Sequence, residues 1–256
     1  MNRTENLDYI LRQLMTDDGQ RYAIPSSFTD KQRMMRALMN IRQPIPASRE
    51  FIARQDEELH QQAKDKGVVT LDGEGLQLWQ GDITRLKVDA IVNAANSQML
   101  GCWSPLHNCI DNCIHSAAGV QLRQECYELM KAQGHEEQTG QAKITRGYNL
   151  PAKYVIHTVG PIIPQGLFPT RDQEGQLSSC YRSCLDIADT YHLQSIAFCC
   201  ISTGVFNFPN QRAAEIAIAT VKEWLSTHQT SSVNQVIFNV FLNKDHDIYK
   251  RLLAED

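Results

Sequence analysis

Long apolar runs are missing from this 256-residue chain, and so are the features of an exported protein. No apolar run approaches the roughly 20 positions that a membrane-spanning helix needs. The first residues, Met1 to Met15, alternate charged side chains with Leu and Ile, whereas a signal peptide has a continuous apolar core. We therefore expect a soluble, cytoplasmic protein.

The chain also lacks a dense block of basic residues, and its formal net charge is -4. Proteins that hold nucleic acid by its phosphates need clustered Lys and Arg, so nucleic acid is not an expected partner. Small molecules and other proteins are expected instead. No internal repeat or low-complexity tract interrupts the sequence, and its length suits one large domain or a medium domain with an extension.

Cysteine is plentiful, with eight residues, but the extracellular features that would make them a disulfide framework are missing. The informative cysteines lie in a turn-rich segment, where Cys102, His107 and Cys109 have the spacing Cys-x4-His-x-Cys. Thiolate and imidazole are ligands that zinc prefers, and three protein ligands leave a fourth position open, as in catalytic zinc sites. Free Cys is also a common buried apolar residue, so the spacing alone leaves zinc binding and ordinary packing equally open.

The residues that follow this segment have two interpretations each. Cys113 comes one helical turn after Cys109, and it is the candidate to complete the shell of a structural zinc site. Asp111 is placed to cap the coming helix, which is the default interpretation, or to contact a ligand at the open zinc position. His115 is expected in the core or behind the zinc ligands.

The N-terminal quarter of the chain has helical patterns. Apolar residues recur at helical spacing over 7–15, 34–41 and 51–59. Thr29 and Gln32 form a capping-box pattern at the start of the second group. We predict a helical extension over residues 1–67, followed by one domain over residues 68–256.

From Val68 onwards, short apolar runs alternate with helical patterns, which is typical of an α/β architecture. The predicted strands cover 68–71, 76–79, 88–92, 142–145, 153–158, 195–201 and 236–240, and the predicted helices cover 110–130, 177–192, 209–224 and 245–253. The run 88–92 is almost continuously apolar, as in a strand buried on both faces. Cys199 and Cys200 are neighbours on a predicted strand, so their side chains are expected on opposite faces and not in one metal site.

Ligands of open α/β sheets bind beyond the carboxyl ends of the strands, so the residues just after strands are informative. Asp82 follows one strand, and its carboxylate either accepts a hydrogen bond from an exocyclic amine such as that of adenine or caps its own turn. Asn93 and Asn96 follow the strand 88–92. The segment 202–206 precedes a helix, where backbone amides favour a phosphate, although a plain connection has the same pattern.

Four segments together resemble the motifs of a macrodomain: Gly81-Asp-Ile-Thr, Val92-Asn-Ala-Ala-Asn-Ser97, Ile110-Asp-Asn-Cys-Ile-His-Ser-Ala-Ala-Gly119 and Ile201-Ser-Thr-Gly-Val-Phe206. The resemblance extends from Val68 to the C-terminus. It implies a three-layer α/β fold, with a mixed central sheet between helices, that binds ADP-ribose. The residues it implies for ADP-ribose binding are Asp82, Ile83, Asn96, Cys109, Ile110, Asp111, Asn112, Ser202, Thr203, Gly204, Val205 and Phe206.

The resemblance also implies a role for each segment. Asp82 would hold the adenine and Ile83 would contact it through its backbone, whereas the segment 202–206 would cradle the diphosphate and the distal ribose. Asn96 would contact the distal ribose.

The chain departs from the hydrolytic macrodomains of the MacroD type at one place. Those proteins carry a Gly-Gly-Gly-Val-Asp loop after the Asn, whereas here the segment 101–111 replaces it and Asp111 keeps the place of the acidic residue. In this respect the chain resembles the zinc-dependent macrodomains, a microbial class often encoded beside a sirtuin-like ADP-ribosyltransferase and a lipoylated carrier protein, with a similar helical extension. This resemblance makes Cys102, His107 and Cys109 the zinc ligands.

The function implied is a zinc-dependent hydrolase that removes mono-ADP-ribose from an acidic side chain of a modified protein. Asn96 and Asp111 are the expected catalytic residues, which orient the distal sugar, and a lipoylated carrier protein is among the expected partners. The alternative is a reader module, which binds ADP-ribose without cleaving it and uses zinc only to shape the pocket.

Overall fold

The computed structural model describes residues 2–254, which contain eight α-helices and six β-strands. The helices are α1 (Arg3–Asp18), α2 (Phe28–Ile41), α3 (Arg49–Lys66), α4 (Ile110–Ala118), α5 (Val120–Gln133), α6 (Arg171–Thr190), α7 (Asn210–Thr227) and α8 (Asn243–Ala254). The strands are β1 (Gly75–Gln80), β2 (Ala90–Ala95), β3 (Ala142–Arg146), β4 (Tyr154–Val159), β5 (Ser195–Phe198) and β6 (Gln235–Val240).

The strands form one sheet in the order β1-β6-β5-β2-β4-β3. Neighbouring strands are parallel except β3 and β4, which are antiparallel. Helix α4 packs on β2 and α5 packs on β3. Helix α6 packs on β3 and β4, and α8 packs on β1 and β6. The predicted α/β class, with a mixed sheet between helices, is confirmed. No helix of residues 2–254 combines the length and the apolar content that a bilayer crossing requires.

The central strand β2 is shifted along the chain relative to the prediction of 88–92. It begins at Ala90 and continues to Ala95, so Asn93 lies inside the strand and not after it. A polar residue is tolerated there because its amide is hydrogen-bonded in the core, to Asp111 and His157. Asn96 is the first residue beyond the strand.

Two other strand predictions are wrong in part. Strand β5 ends at Phe198 and not at residue 201, so Cys199 and Cys200 lie in the connection beyond it and the alternation of faces does not apply to them. The segment 68–71 is not a strand: Val69 makes an isolated parallel bridge with Leu86, because it pairs with a connection rather than with a strand of the sheet.

The predicted helix 110–130 is broken into α4 and α5 at Gly119. This glycine has φ 100°, which side chains rarely adopt. A Cβ at this position would also come within 2.7 Å of the side chains of Gln55 and Gln121. Helix α6 begins earlier than predicted, at Arg171, because Thr170 and Gln173 form a capping box.

The N-terminal extension consists of three helices, as predicted. Helices α1 and α3 and much of α2 enclose their own apolar cluster: Leu7, Ile10, Leu11, Leu14, Met15, Met35, Leu38, Met39, Phe51 and Leu59. Helix α2 is capped by Ser27, whose hydroxyl accepts a hydrogen bond from the N–H of Asp30, so the cap expected at Thr29 is wrong. Val120 of α5 packs into the same cluster. The division into domains 1–67 and 68–256 stays a prediction.

Candidate functional site

The carboxyl ends of the parallel strands bring the predicted site segments to one edge of the sheet. Asp82 follows β1, Asn96 follows β2 and the segment 202–206 comes shortly after β5. The loop between β2 and α4 carries the predicted metal ligands to the same edge.

The three predicted metal ligands lie together. The ligand atoms of Cys102, His107 and Cys109 are within 4.8 Å of one another. Cys102 Sγ is 3.8 Å from His107 Nδ1. Zinc binds sulfur at about 2.3 Å and imidazole nitrogen at about 2.0 Å, so ligand atoms at these separations fit one ion. The donor set and its spacing therefore suit zinc, although the ion itself stays a prediction.

Two of these ligands accept hydrogen bonds from backbone N–H groups. Cys109 is the N-cap of α4, and its Sγ accepts a hydrogen bond from the N–H of Asn112 at 3.4 Å. Burial raises the pKa of the Cys109 thiol to about 12. His107 Nδ1 accepts a hydrogen bond from the N–H of Cys109 at 3.3 Å. Because a metal binds the thiolate, binding must release protons and strengthen with rising pH.

Cys113 does not join the three ligands within the described part of the chain. Its Sγ is 3.8 Å from Nη2 of Arg36, on α2. Cys109 has the extended backbone of an N-cap, with φ -68° and ψ 156°, so the helical spacing between Cys109 and Cys113 does not bring their thiols to one point. Cys109 also takes the capping position expected of Asp111, so that default interpretation is wrong.

Asp111 is a buried carboxyl group at the start of α4, with only 6% of its surface exposed. Its Oδ1 accepts a hydrogen bond from Asn93 Nδ2 at 2.7 Å. Asn93 Nδ2 also lies 3.1 Å from His157 Nδ1, and His157 Nε2 lies 2.9 Å from Thr145 Oγ1. Burial raises the pKa of Asp111 to about 6, against the lowering effect of the Asn93 hydrogen bond. A chain of hydrogen bonds through β2, β4 and β3 therefore positions this carboxyl group.

A second buried group lies behind Asp111: potential ligand atoms of His115, Cys126 and His157 are within 4.8 Å of one another. Burial lowers the pKa of His157 to about 3 and that of His115 well below its usual value. Both nitrogens of His157 already contact Asn93 and Thr145, so we interpret the group as a neutral polar cluster. No local pattern predicts this group, because its members lie on two helices and a strand.

Asn96 shapes the start of the metal loop, which is the segment 96–109 between β2 and α4 that carries the predicted metal ligands. Its Nδ2 donates to the carbonyl of Gly101 at 3.1 Å, and its Oδ1 accepts from the N–H of Gln98 at 3.1 Å. The amide is half-buried at the carboxyl end of β2. The second N–H of Nδ2 and the second lone pair of Oδ1 can bind a sugar hydroxyl without loss of these local hydrogen bonds.

Asp82 caps its own turn, which is one of the two interpretations of its sequence position, and the adenine contact stays a prediction. Its Oδ1 accepts hydrogen bonds from the N–H and the hydroxyl of Thr84, at 3.0 and 2.6 Å, and so caps its own turn. Its Oδ2 lies 3.4 Å from Nζ of Lys66, on α3. Burial opposes the charge of Asp82, but the contacts with Thr84 and Lys66 lower its pKa overall. Ile83 is buried, so a ligand would reach it through its backbone.

The segment 202–206 contains an unusual serine. Ser202 has φ 64°, in the left-handed region, and its buried hydroxyl has no hydrogen-bond partner within the described residues. Backbone strain and an unpaired buried polar group are common at ligand-binding loops. Val205 is 69% exposed, and the carbonyl of Phe206 accepts a hydrogen bond from the N–H of Ile163.

Two residues of α4's first turn have different surroundings. Ile110 is half-buried at the start of the helix. Asn112 is fully buried, and its Nδ2 donates to the carbonyl of Ser104 at 2.9 Å, so its side chain supports the metal loop.

Phe241, which was not among the predicted site residues, follows β6 and is 71% exposed. The carbonyl of Val240 accepts a hydrogen bond from the N–H of Gly81 at 2.9 Å, so Phe241 follows a residue paired next to Asp82. An exposed aromatic ring at a strand end is suited to stacking on a base. The signal was available, because the apolar run of β6 continues past the strand into Phe241.

The chain is similar to known proteins over most of its length. A family model described as Macro domain matches residues 92–217. A relative from Treponema medium, named Protein-ADP-ribose hydrolase, is 49% identical over 97% of this chain and 96% of its own length. A macrodomain from Oceanobacillus iheyensis solved with ADP has a TM-score of 0.63 and 39% identity, over 70% of this chain and 90% of that one.

A macrodomain from Trypanosoma brucei, solved in complex with ADP-ribose, extends the similarity. Its TM-score is 0.65 at 28% identity, over 91% of this chain and 100% of that one. The match therefore includes part of the helical extension as well as the sheet. From these similarities together with the observed sheet order, the chain belongs to the macrodomain family.

Proposed function

We propose that this protein is a zinc-dependent protein-ADP-ribose hydrolase that removes mono-ADP-ribose from acidic side chains. The observation that carries the proposal is the identity of 48–49% over nearly the full length with relatives named Protein-ADP-ribose hydrolase. The cluster of Cys102, His107 and Cys109 beside Asp111 supports the zinc-dependent form of the reaction.

The strand-end edge offers groups suited to each part of ADP-ribose. Asp82 Oδ2 can accept a hydrogen bond from the adenine amine, in exchange for its contact with Lys66. The segment 202–206 precedes α7, whose N-terminal end favours the negative diphosphate. The distal ribose then lies toward Asn96 and Asp111.

Asp111 is the group we assign to the reacting end. Within the described residues, hydrogen bonds reach only its Oδ1, so Oδ2 is available to orient a ribose hydroxyl or a water molecule. The amide of Asn93 fixes the plane of the carboxyl group while it does so. A zinc ion held by Cys102, His107 and Cys109 would polarise the sugar linkage or lower the pKa of a bound water to roughly 7.

The test uses an acceptor protein mono-ADP-ribosylated on Glu or Asp, and a matched acceptor modified on Ser. We expect release of ADP-ribose from the acidic linkage by the zinc-loaded protein, and loss of release once metal analysis verifies that a chelator has removed the ion. Full activity of the verified metal-free protein would overturn the zinc requirement. Equal release from the Ser-linked acceptor would overturn the acidic preference.

The reader module is the competing function, and Cys102→Ser separates the two. A hydrolase loses release in this variant. If wild type and variant bind ADP-ribose equally and neither releases it from any acceptor, the protein is a reader. A lipoylated carrier protein as acceptor and a cytoplasmic location stay predictions.

A further inference from the structure

Helix α2 of the N-terminal extension contacts the metal loop directly through Arg36. The Nη2 of Arg36 donates to the carbonyl of His107 at 2.6 Å and to Oδ1 of Asn112 at 2.9 Å. His107 is a predicted metal ligand, and the Arg36 guanidinium fixes the peptide group between His107 and the next residue. Arg36 lies on α2, the second helix of the N-terminal extension.

A second contact comes from Asn40, one turn further along α2. Its side chain is buried, with 2% of the residue exposed. Its Oδ1 accepts a hydrogen bond from the N–H of Leu106 at 3.0 Å, and its Nδ2 donates to Ser116 Oγ at 2.9 Å. Leu106 has φ 58°, in the left-handed region. That conformation is strained for a leucine, so it persists only where outside contacts hold it.

The same network closes on α4. Asn112 accepts from Arg36 and from Ser116 Oγ, at 2.9 and 3.2 Å, and its Nδ2 donates to the carbonyl of Ser104. The backbone groups of Ser104, Leu106 and His107 are therefore each held by a side chain from α2 or α4. All three lie between Cys102 and Cys109.

Arg123 of α5 holds the other end of the loop. Its Nε donates to the carbonyl of Leu100 at 2.7 Å, and its guanidinium stacks on Trp103 at 4.1 Å. Its Nη1 donates to the carbonyls of Met39 and Arg42, at the end of α2. The buried guanidinium of Arg123 thus hydrogen-bonds both to the start of the loop and to the end of α2.

We propose that Arg36 and Asn40 are positioning residues for the metal site, so that one role of the helical extension is to preorganise the metal loop. The inference rests on the metal-binding part of the proposed function. Residues that contact metal ligands orient them, and the loss of such a residue typically weakens metal binding about 10–100-fold. Without α2, the strained Leu106 and the His107 peptide group relax, and an entering ion must order them again.

The test measures the zinc dissociation constant by competition with a chromophoric chelator at fixed pH. We compare wild type with Arg36→Gln and Asn40→Ala, and with the control Arg33→Gln, which changes an exposed arginine of the same helix. We expect about 10–100-fold weaker zinc binding in the first two variants and no change in the control. Circular dichroism of the metal-free proteins checks that all are folded. If Asn40→Ala does not fold, Arg36→Gln still tests the inference, because Arg36 is only half-buried and its replacement leaves the core intact.

Two results overturn the inference, and they differ in what they mean for the function. If wild type binds one zinc and a folded Arg36→Gln variant binds it within twofold, the extension does not preorganise the site, while the hydrolase proposal stands. If verified wild-type protein binds no zinc at all, the zinc-dependent form of the proposed function fails as well.

Discussion

Asp111 shows how a single carboxyl group is prepared for a site. Its burial makes the charged form less favourable, and the Asn93 amide compensates part of that effect. His115 and His157 stay neutral behind it because they too are buried. The carboxyl group is therefore held in place by hydrogen bonds rather than by a counter-charge from these histidines.

We expect Asp111→Asn to abolish most of the hydrolysis and to retain ADP-ribose binding. The amide preserves shape but cannot act as a base or orient a hydroxyl in the same way, so the rate is expected to fall about 10²–10⁴-fold. Release from an acidic-linked acceptor and calorimetric titration with ADP-ribose measure the two effects. Asp247→Asn, an exposed carboxyl on α8, serves as the control. Unchanged release in Asp111→Asn would remove Asp111 from the reaction.

His157 makes stability depend on pH with a defined sign. Its pKa is lowered by burial from 6.5 to about 3 in the folded protein. Above pH 6.5 the residue is neutral in both states, whereas between pH 6.5 and 3 only the unfolded chain takes up the proton, so the free energy of unfolding falls as pH falls. Between pH 7.5 and pH 5 the protonation of His157 in the unfolded chain is expected to lower the free energy of unfolding by about 2 kcal/mol.

Urea unfolding of wild type and His157→Gln at these two pH values measures this contribution. We expect the variant to lose about 2 kcal/mol less than wild type over the interval, whatever its stability at pH 7.5. The same loss in both proteins would show that His157 is not held neutral by the fold.

At the scale of elements, the order of helices and strands was predictable because each depends on local periodicity. Strands β1, β3, β4 and β6 and the three helices of the extension lie where the patterns place them, within a few residues. The error at β2 has its cause in contacts from distant parts of the chain. Asn93 stays inside β2 because Asp111 and His157 reach it from other elements, and no local pattern encodes that.

The candidate site divides in the same way. Cys102, His107 and Cys109 could be predicted because they are close in sequence, and a short loop brings them together. The contacts of Arg36 with the metal loop could not be predicted, because Arg36 and His107 are 71 residues apart in the sequence. The partners of His157 were missed for the same reason.

The break between α4 and α5 gives a prediction at this scale. Gly119→Ala places a side chain at φ 100° with a Cβ 2.7 Å from Gln55 and Gln121, so we expect a loss of about 1–3 kcal/mol in the free energy of unfolding. Gly175→Ala, in α6 with open space around it, is the matched control and is expected to stabilise by about 0.4–1 kcal/mol. Chemical denaturation measures both, and a stabilising Gly119→Ala would contradict the strain.

For the whole molecule, a ligand that binds only the folded state must raise its stability. The loop joins β2 and α4 and contacts α2, so a zinc ion bound by Cys102, His107 and Cys109 would link the sheet to the extension. We expect free zinc at about 100 times its dissociation constant to add about 2.7 kcal/mol to the free energy of unfolding. Thermal unfolding with buffered zinc measures this, with Cys102→Ser as the variant that gains least. An equal shift in both proteins would place the stabilising ion elsewhere.

The contacts of Arg36 and Asn40 also set a condition for protein engineering. Grafting the segment 102–109 alone onto a macrodomain with a glycine-rich loop would transfer the thiols and the imidazole but leave Leu106 and the His107 carbonyl without their partners. A functional graft therefore needs three segments of chain together: the loop, α2 and the first turn of α4.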